Sequence, residues 1–264
     1  MRELFRRHVA LPADHGSWAL YLGPLAIGIA AGGRWQTTTF YLIVATACGF
    51  LVRQPLTLAV KAHAGRRPRD ILPAARFWVG VYAAVGLLHV TGLVLRGFGY
   101  VLILAIPGVL VFSWYLWLVS RRSERRQPVM EVLAAGVMAL IAPAALWAAL
   151  GNPDPQGWSL WLLVWLQSAT AILYAHLRLE QRPWRERHDL GQRLRAGTPA
   201  LALALAGIVV AVVIDVGLSV PYLVMGAEVL RGTCIPASGL KQKTIGYQLL
   251  TLSTLFTVLF IVSY

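Results

Sequence analysis

Residues 199–230, PALALALAGIVVAVVIDVGLSVPYLVMGAEVL, carry only two charged side chains, Asp215 and Glu228. A helix rises 1.5 Å per residue and needs about 20 residues to cross a hydrocarbon core of roughly 30 Å. The stretch is therefore too long for one crossing and barely long enough for two. Asp215, Gly217, Ser219 and Pro221 fall together near its middle, and these are the residue types that a tight interhelical turn uses. We read it as a helical hairpin of two short spans, 199–215 and 218–230. This reading sets the parity of the chain, because everything after it changes side if the stretch crosses only once.

The same apolar texture continues outward. Of 264 residues, 58% are hydrophobic and only 13% charged, far from the composition of a water-soluble domain. Further apolar runs lie at 18–31, 38–60, 71–95, 100–119, 129–150, 158–177 and 245–264. Together with the hairpin they predict an all-α, polytopic transmembrane bundle of about nine spans, a single integral membrane domain over residues 1–264. Basic residues ahead of a short first apolar run have the outline of a secretory signal peptide. Pro24 and the spans that follow favour a first membrane helix instead. The second run is interrupted by Arg53, Gln54 and Pro55, which predicts a kink or an early end, with Arg53 at the cytoplasmic boundary. Gly28 and Gly32 form a small-xxx-small pair that would let another backbone come close.

Orientation follows from charge, because Lys and Arg in short loops stay on the cytoplasmic side. With the N-terminus inside, the cytoplasmic segments 2–7, 53–76, 121–126, 178–195 and 231–243 hold 22 of the 24 basic residues. Arg34 and Arg96 are left outside. Nine of the eleven acidic residues also fall inside, with Asp154 and Asp215 outside, so the whole net charge of +13 sits on one face. Reading the hairpin as one span would send the last basic loop outside and destroy this pattern. Trp18, Trp35, Trp114, Trp117, Trp147, Trp158 and Trp184 fall near span ends, as interfacial anchors do. The expected location is a bacterial cytoplasmic (inner) membrane, with membrane lipids as the first partners.

The residues that could carry chemistry are few. Asp14-His15-Gly16 stands at the membrane boundary, where a carboxylate beside an imidazole could hold it for proton transfer or ligand binding. Asp14 or Ser17 could equally serve as a helix cap, with Trp18 as an anchor. His89, His176 and Glu228 are polar groups inside spans, and such groups are functional candidates by default. Arg53 is the expected partner of Glu228. Arg53, Arg66, Arg67, Arg178 and Arg182 could bind phosphate or carboxylate directly through planar bidentate hydrogen bonds, although the positive-inside rule alone predicts arginines there. The six histidines lack the close pairing of metal or haem ligands, and Cys48 and Cys234 read as structural, so no metal and no cofactor is expected. Basic charge in short loops against a membrane, with no soluble domain, also argues against nucleic-acid binding.

Pro12, Asp14-His15-Gly16 and Trp18, followed by Pro24 and Gly28, resemble the opening pattern P-x-[ED]-H-G-x-W, then P-x-x-x-G, of the YwiC-like family of bacterial membrane proteins. The resemblance continues in the segment 53–56, in the Arg-rich stretch after Tyr174 and in Lys243-Thr244-Ile245-Gly246. It implies a membrane class without a reaction, and it adds weight to Asp14 and His15. The architecture is also similar to the UbiA-type intramembrane prenyltransferases, which have about nine helices and active loops after the second and sixth spans. That similarity implies Mg²⁺-binding, Asp-rich motifs in those loops. Here the first loop offers only Asp70, and the second only Glu180, Glu186 and Asp189, which is too little for ionising a diphosphate.

Three function classes follow. An integral membrane protein binding an amphiphilic anionic small molecule or lipid from the cytoplasmic leaflet predicts a cavity open to the inner face. A non-enzymatic subunit or assembly partner of a membrane complex predicts an apolar face and no enclosed polar cavity. A small-molecule transporter predicts a polar tunnel reaching both faces.

Overall fold

The computed structural model describes residues 5–12, 15–122, 128–184 and 189–264, with His15 described by its backbone. The chain is all-helical among these residues. A short helix α1 (Arg7–Ala10) precedes α2 (His15–Gly32), α3 (Thr37–His63), α4 (Leu72–Leu95), α5 (Ile106–Ser120), α6 (Pro128–Ala139), α7 (Ile141–Leu150), α8 (Gln156–Glu180), α9 (Leu190–Ile214), α10 (Ser219–Cys234) and α11 (Gln242–Ser263). Short 3-10 turns lead into α4, α5 and α10. Seven helical stretches are long and apolar enough to cross a membrane, with α6 and α7 together forming one of them. Helix α2 is a shorter apolar helix, and α10, of 16 residues, returns from the end of α9 beside it. In hydrocarbon a helix satisfies its own backbone, which is why these runs take no other form.

Hydrogen bonds between helix ends sort the loops into two faces. On one face Arg6 Nη1 meets Asp70 Oδ2 at 3.0 Å, Gln54 Nε2 donates to the His8 carbonyl at 3.1 Å, and Arg122 Nη2 donates to the Ala64 carbonyl at 3.0 Å. Arg193 Nη1 donates to the Cys234 carbonyl on the same face, at 2.9 Å. On the opposite face Gln36 Nε2 donates to the Ala149 carbonyl at 2.8 Å, Thr38 Oγ1 to the Ala148 carbonyl at 3.1 Å, and Tyr100 Oη to the Trp147 carbonyl at 3.1 Å. The Arg-rich ends therefore meet on one side, the basic face. Arg34 and Arg96 lie with the other set.

The expected hairpin forms. Helix α9 ends at Ile214, Asp215 Oδ1 accepts from the Gly217 backbone N–H at 2.7 Å, and α10 begins at Ser219. The glycine pair of α2 also meets its neighbour. A Cβ on Gly28 would lie 2.8 Å from Ala145 Cβ, and one on Gly32 would collide with Ala149 Cβ, so α7 packs directly on the bare backbone of α2. Pro143 lacks an N–H, and the α6–α7 pass breaks at Leu140, whose N–H turns to the Val137 carbonyl. The Gly136 carbonyl released by that break accepts from Trp161 Nε1 at 2.8 Å, while Trp165 Nε1 donates to the Val132 carbonyl at 2.9 Å.

Three expectations are corrected. Helix α3 does not end at Pro55 but continues to His63. A proline removes one backbone donor, a loss that neighbouring packing can absorb in a membrane helix, and Pro55 is itself buried. Trp147 is no lipid-facing anchor: it is buried, and its Nε1 donates to the Asp154 carbonyl at 2.8 Å. The carboxylate of Glu228 pairs with Arg231, three residues along the same helix, rather than with Arg53. It also accepts from Tyr174 Oη at 2.9 Å.

Candidate functional site

A cavity of about 1300 Å³ lies among the helices, with walls from α2, α3, α5, α6, α8 and α11 and contributions from α4, α7 and the 3-10 turn before α5. Its chemistry is graded along the membrane normal. Toward the opposite face the walls are mostly apolar, with Ile27, Leu42, Leu93, Val101 and Leu104 lining it, each nearly fully buried. The hydroxyls of Thr46 and Thr257, also in the wall, donate to carbonyls of their own helices, Leu42 and Ser253. Toward the basic face the walls carry Ser17, Arg53, Tyr115, Glu131, Gln242, Lys243 and Tyr247, with Gln167 and Ser253 near the middle of their helices. Helix direction produces this grading. α2, α6 and α11 begin at the basic face, so Ser17, Glu131 and Lys243 occupy their first turns. α3 and α5 end there, bringing Arg53 and Tyr115 into their basic-face halves.

Pro24 lies in the wall of α2. With no N–H on the proline, the carbonyl of Leu20, also in the wall, loses its helical donor. Arg53 extends over the Phe50 ring, 5.8 Å from its centroid. Glu131 is bound across the α6–α8 interface by His176, Nε2 to Oε2 at 2.9 Å. Lys243 has no ion-pair partner among the described residues. The described part of the wall thus bears two cationic side chains and one carboxylate that already has a partner.

The sequence-selected residues divide among several places. Asp14 lies outside the described residues, as does the side chain of His15, while the next two residues, Gly16 and Ser17, line the cavity. Of the five arginines, only Arg53 reaches the cavity wall. Arg66 joins α3 to α5 by donating from Nη1 to the Val119 carbonyl at 3.3 Å, and Arg67 is exposed on the same connection. Arg178 is 4% exposed, and its Nη1 donates to the carbonyls of Gly232 at 2.9 Å and Ile235 at 2.7 Å. Arg182 Nε donates to the Leu240 carbonyl at 2.9 Å. His89 contacts the rings of Phe40 and Tyr41 on α3, away from the cavity. Glu228 sits with Tyr174 and Arg231 outside its wall.

The site holds two groups that sequence reasoning did not select for it. Lys243 looked like one loop cation among many, and Glu131 gave no signal of its own. Its carboxylate is picked out only by the partner His176, 45 residues away. No group of three His, Cys, Asp or Glu side chains converges among the described residues.

Apolar passes, one-sided charge and an internal cavity graded from polar to apolar define a polytopic α-helical membrane protein. A family model described as YwiC-like protein matches residues 11–146, slightly more than half of the chain, and the chain belongs to the YwiC-like family. The matched region contains the Asp14-His15-Gly16 motif, Arg53 and Glu131, whereas Gln167 and Lys243 lie beyond it. No curated protein matches the chain, and neither does any solved structure.

Proposed function

We propose that the cavity binds an amphiphilic anion, a lipid or lipid-like small molecule that enters from the basic face, with its apolar tail inward and its charged head at Arg53 and Lys243. The observation that carries this reading is the lengthwise grading of the cavity. A site for a small hydrophilic solute would place free polar groups throughout. Here the charged side chains stay at the basic-face end and the deep walls are mostly apolar, with their threonine hydroxyls turned to their own helices, which favours burial of hydrocarbon at about 0.8 kcal/mol per CH₂. The buried apolar residues at the far end favour a one-sided site over a tunnel for transport.

The positive-inside rule puts the basic face in the cytoplasm and the N-terminus with it, as in a bacterial inner membrane. The Asp14-His15 pair immediately precedes the lining residues Gly16 and Ser17 in sequence, and its role in this reading is that of an acid/base or orienting pair for the headgroup. Arg66, Arg67, Arg178 and Arg182 serve topology, loop packing and contacts with anionic headgroups. UbiA-type diphosphate–Mg²⁺ chemistry is no part of this reading, since Glu131, the one acidic side chain among the described lining residues, is too little for it.

Thermal stability of the purified protein, titrated with dodecyl phosphate, dodecanol and inorganic phosphate, tests the reading. Dodecyl phosphate should raise the melting temperature saturably and more than either fragment. Arg53→Gln and Lys243→Gln should each reduce the effect, and Arg67→Gln should not. Equal shifts with dodecanol, or equal shifts for all three variants, would remove the anion site.

A further inference from the structure

Arg178 and Arg182, both selected from sequence as headgroup ligands, converge on a different target. Between α10 and α11 the chain runs through residues 235–241 with no helix of its own, and α8 holds it at several points. Arg178 Nη1 bonds the Gly232 and Ile235 carbonyls and Gln181 Oε1. Gln181, fully buried, donates from Nε2 to Gly232 O at 3.1 Å and accepts from the Ala237 N–H at 3.1 Å. Arg182 Nε takes the Leu240 carbonyl, and its own carbonyl accepts from the Gly239 N–H at 3.3 Å. The clasp ends at Leu240, and Gln242 and Lys243, two and three residues further on, line the cavity.

Resting on the proposed reading of the cavity, we infer that Arg178, Gln181 and Arg182 are positioning residues, a clasp that sets where Lys243 enters the cavity mouth without touching the ligand. A guanidinium suits this task, because its planar array of donors can serve several carbonyls at once, which a lysine ammonium does less well. Burying such a charge is costly unless hydrogen bonds compensate it. Here the compensation comes from the Gly232 carbonyl in the last turn of α10, the Ile235 carbonyl that opens the held segment and the Gln181 side chain, while Arg178 Nε is buried without a partner among the described residues. The cation and the start of the loop therefore depend on each other.

The test is a double-mutant cycle on dodecyl phosphate affinity, run alongside hydrogen exchange of the ligand-free protein. Lys243→Gln should weaken binding about tenfold, the size of one charge-assisted hydrogen bond. Arg182→Gln and Arg178→Gln should each weaken it several-fold in the wild-type background and by less than about twofold once Lys243 is Gln, since coupled residues are not additive. Both variants should also speed amide exchange at Ala237 and Gly239. Additive losses in the cycle, or unchanged exchange in the arginine variants, would overturn the clasp. Absent binding of dodecyl phosphate by the wild type would count against the cavity reading instead, and the exchange measurement would still decide whether the arginines hold the segment. Arg182 is exposed, so its variant keeps the test decisive if Arg178→Gln fails to fold.

Discussion

Replacing Gly28 with Ala should destabilise the protein, although alanine is the better helix former. In a helix interior Gly→Ala is worth roughly 0.5–1 kcal/mol in favour of alanine, and Gly80 on α4 measures that contribution alone because a Cβ there meets nothing within 4 Å. At Gly28 the same methyl would fall 2.8 Å from both Ala142 Cα and Ala145 Cβ, and still closer to the Ala142 carbonyl oxygen. Ordinary carbon–carbon contact is near 3.5–4.0 Å, so α2 and α7 must separate by several tenths of an ångström or more. The obstructing atoms belong largely to backbone and cannot rotate away.

Overpacking of this kind costs about 1–3 kcal/mol, which exceeds the propensity gain. The separation also strains the bonds that tie α7 to the start of α3, Gln36 to Ala149 and Thr38 to Ala148. Gly28→Ala should therefore lower stability by about 1–2 kcal/mol, while Gly80→Ala leaves it unchanged or raises it by up to about 1 kcal/mol. The assay is reversible unfolding of both variants in one detergent, read by tryptophan fluorescence. Equal, favourable shifts would refute the reasoning, because α2 and α7 would then not be in backbone contact.

Two further outcomes follow from the two faces and the α6–α7 break. Single cysteines at Arg34 and Asn152, in a background lacking Cys48 and Cys234, should react with an impermeant maleimide from outside intact cells, whereas a cysteine at Arg122 should react only after lysis; the reverse pattern would invert the topology. Trp161→Phe should cost about 1–2 kcal/mol by leaving the Gly136 carbonyl without its donor, measured by the same unfolding assay, and an unchanged midpoint would show that the carbonyl finds another partner.

The passes were legible because hydrocarbon demands long apolar runs with internally satisfied backbones, and the stop at Asp215 was legible because its turn residues act locally. Of the two outcomes offered at Pro55, a kink or an early end, the early end does not occur. A proline announces a lost donor, but whether the helix survives depends on packing around it, and that packing is tertiary. The contact of Gly28 and Gly32 with α7 was anticipated only in kind, since the partner helix lies more than a hundred residues away in sequence.

The arginines mark where such reading stops. Topology, loop packing and ligand binding all place the same residue type at the same membrane boundary, so charge along the chain cannot separate them. What separates them is direction, and direction comes from helical phase and from neighbours distant in sequence. Arg178 is in the last turn of α8 and turns into the protein, toward carbonyls 54 and 57 residues further along the chain. Arg53, inside a helix that continues past its proline, turns into the cavity. Lys243, in the opening turn of α11, lines the cavity three residues after Leu240, whose carbonyl Arg182 holds. A basic site in a protein of this kind is therefore defined by which cations face a cavity and which face backbone carbonyls.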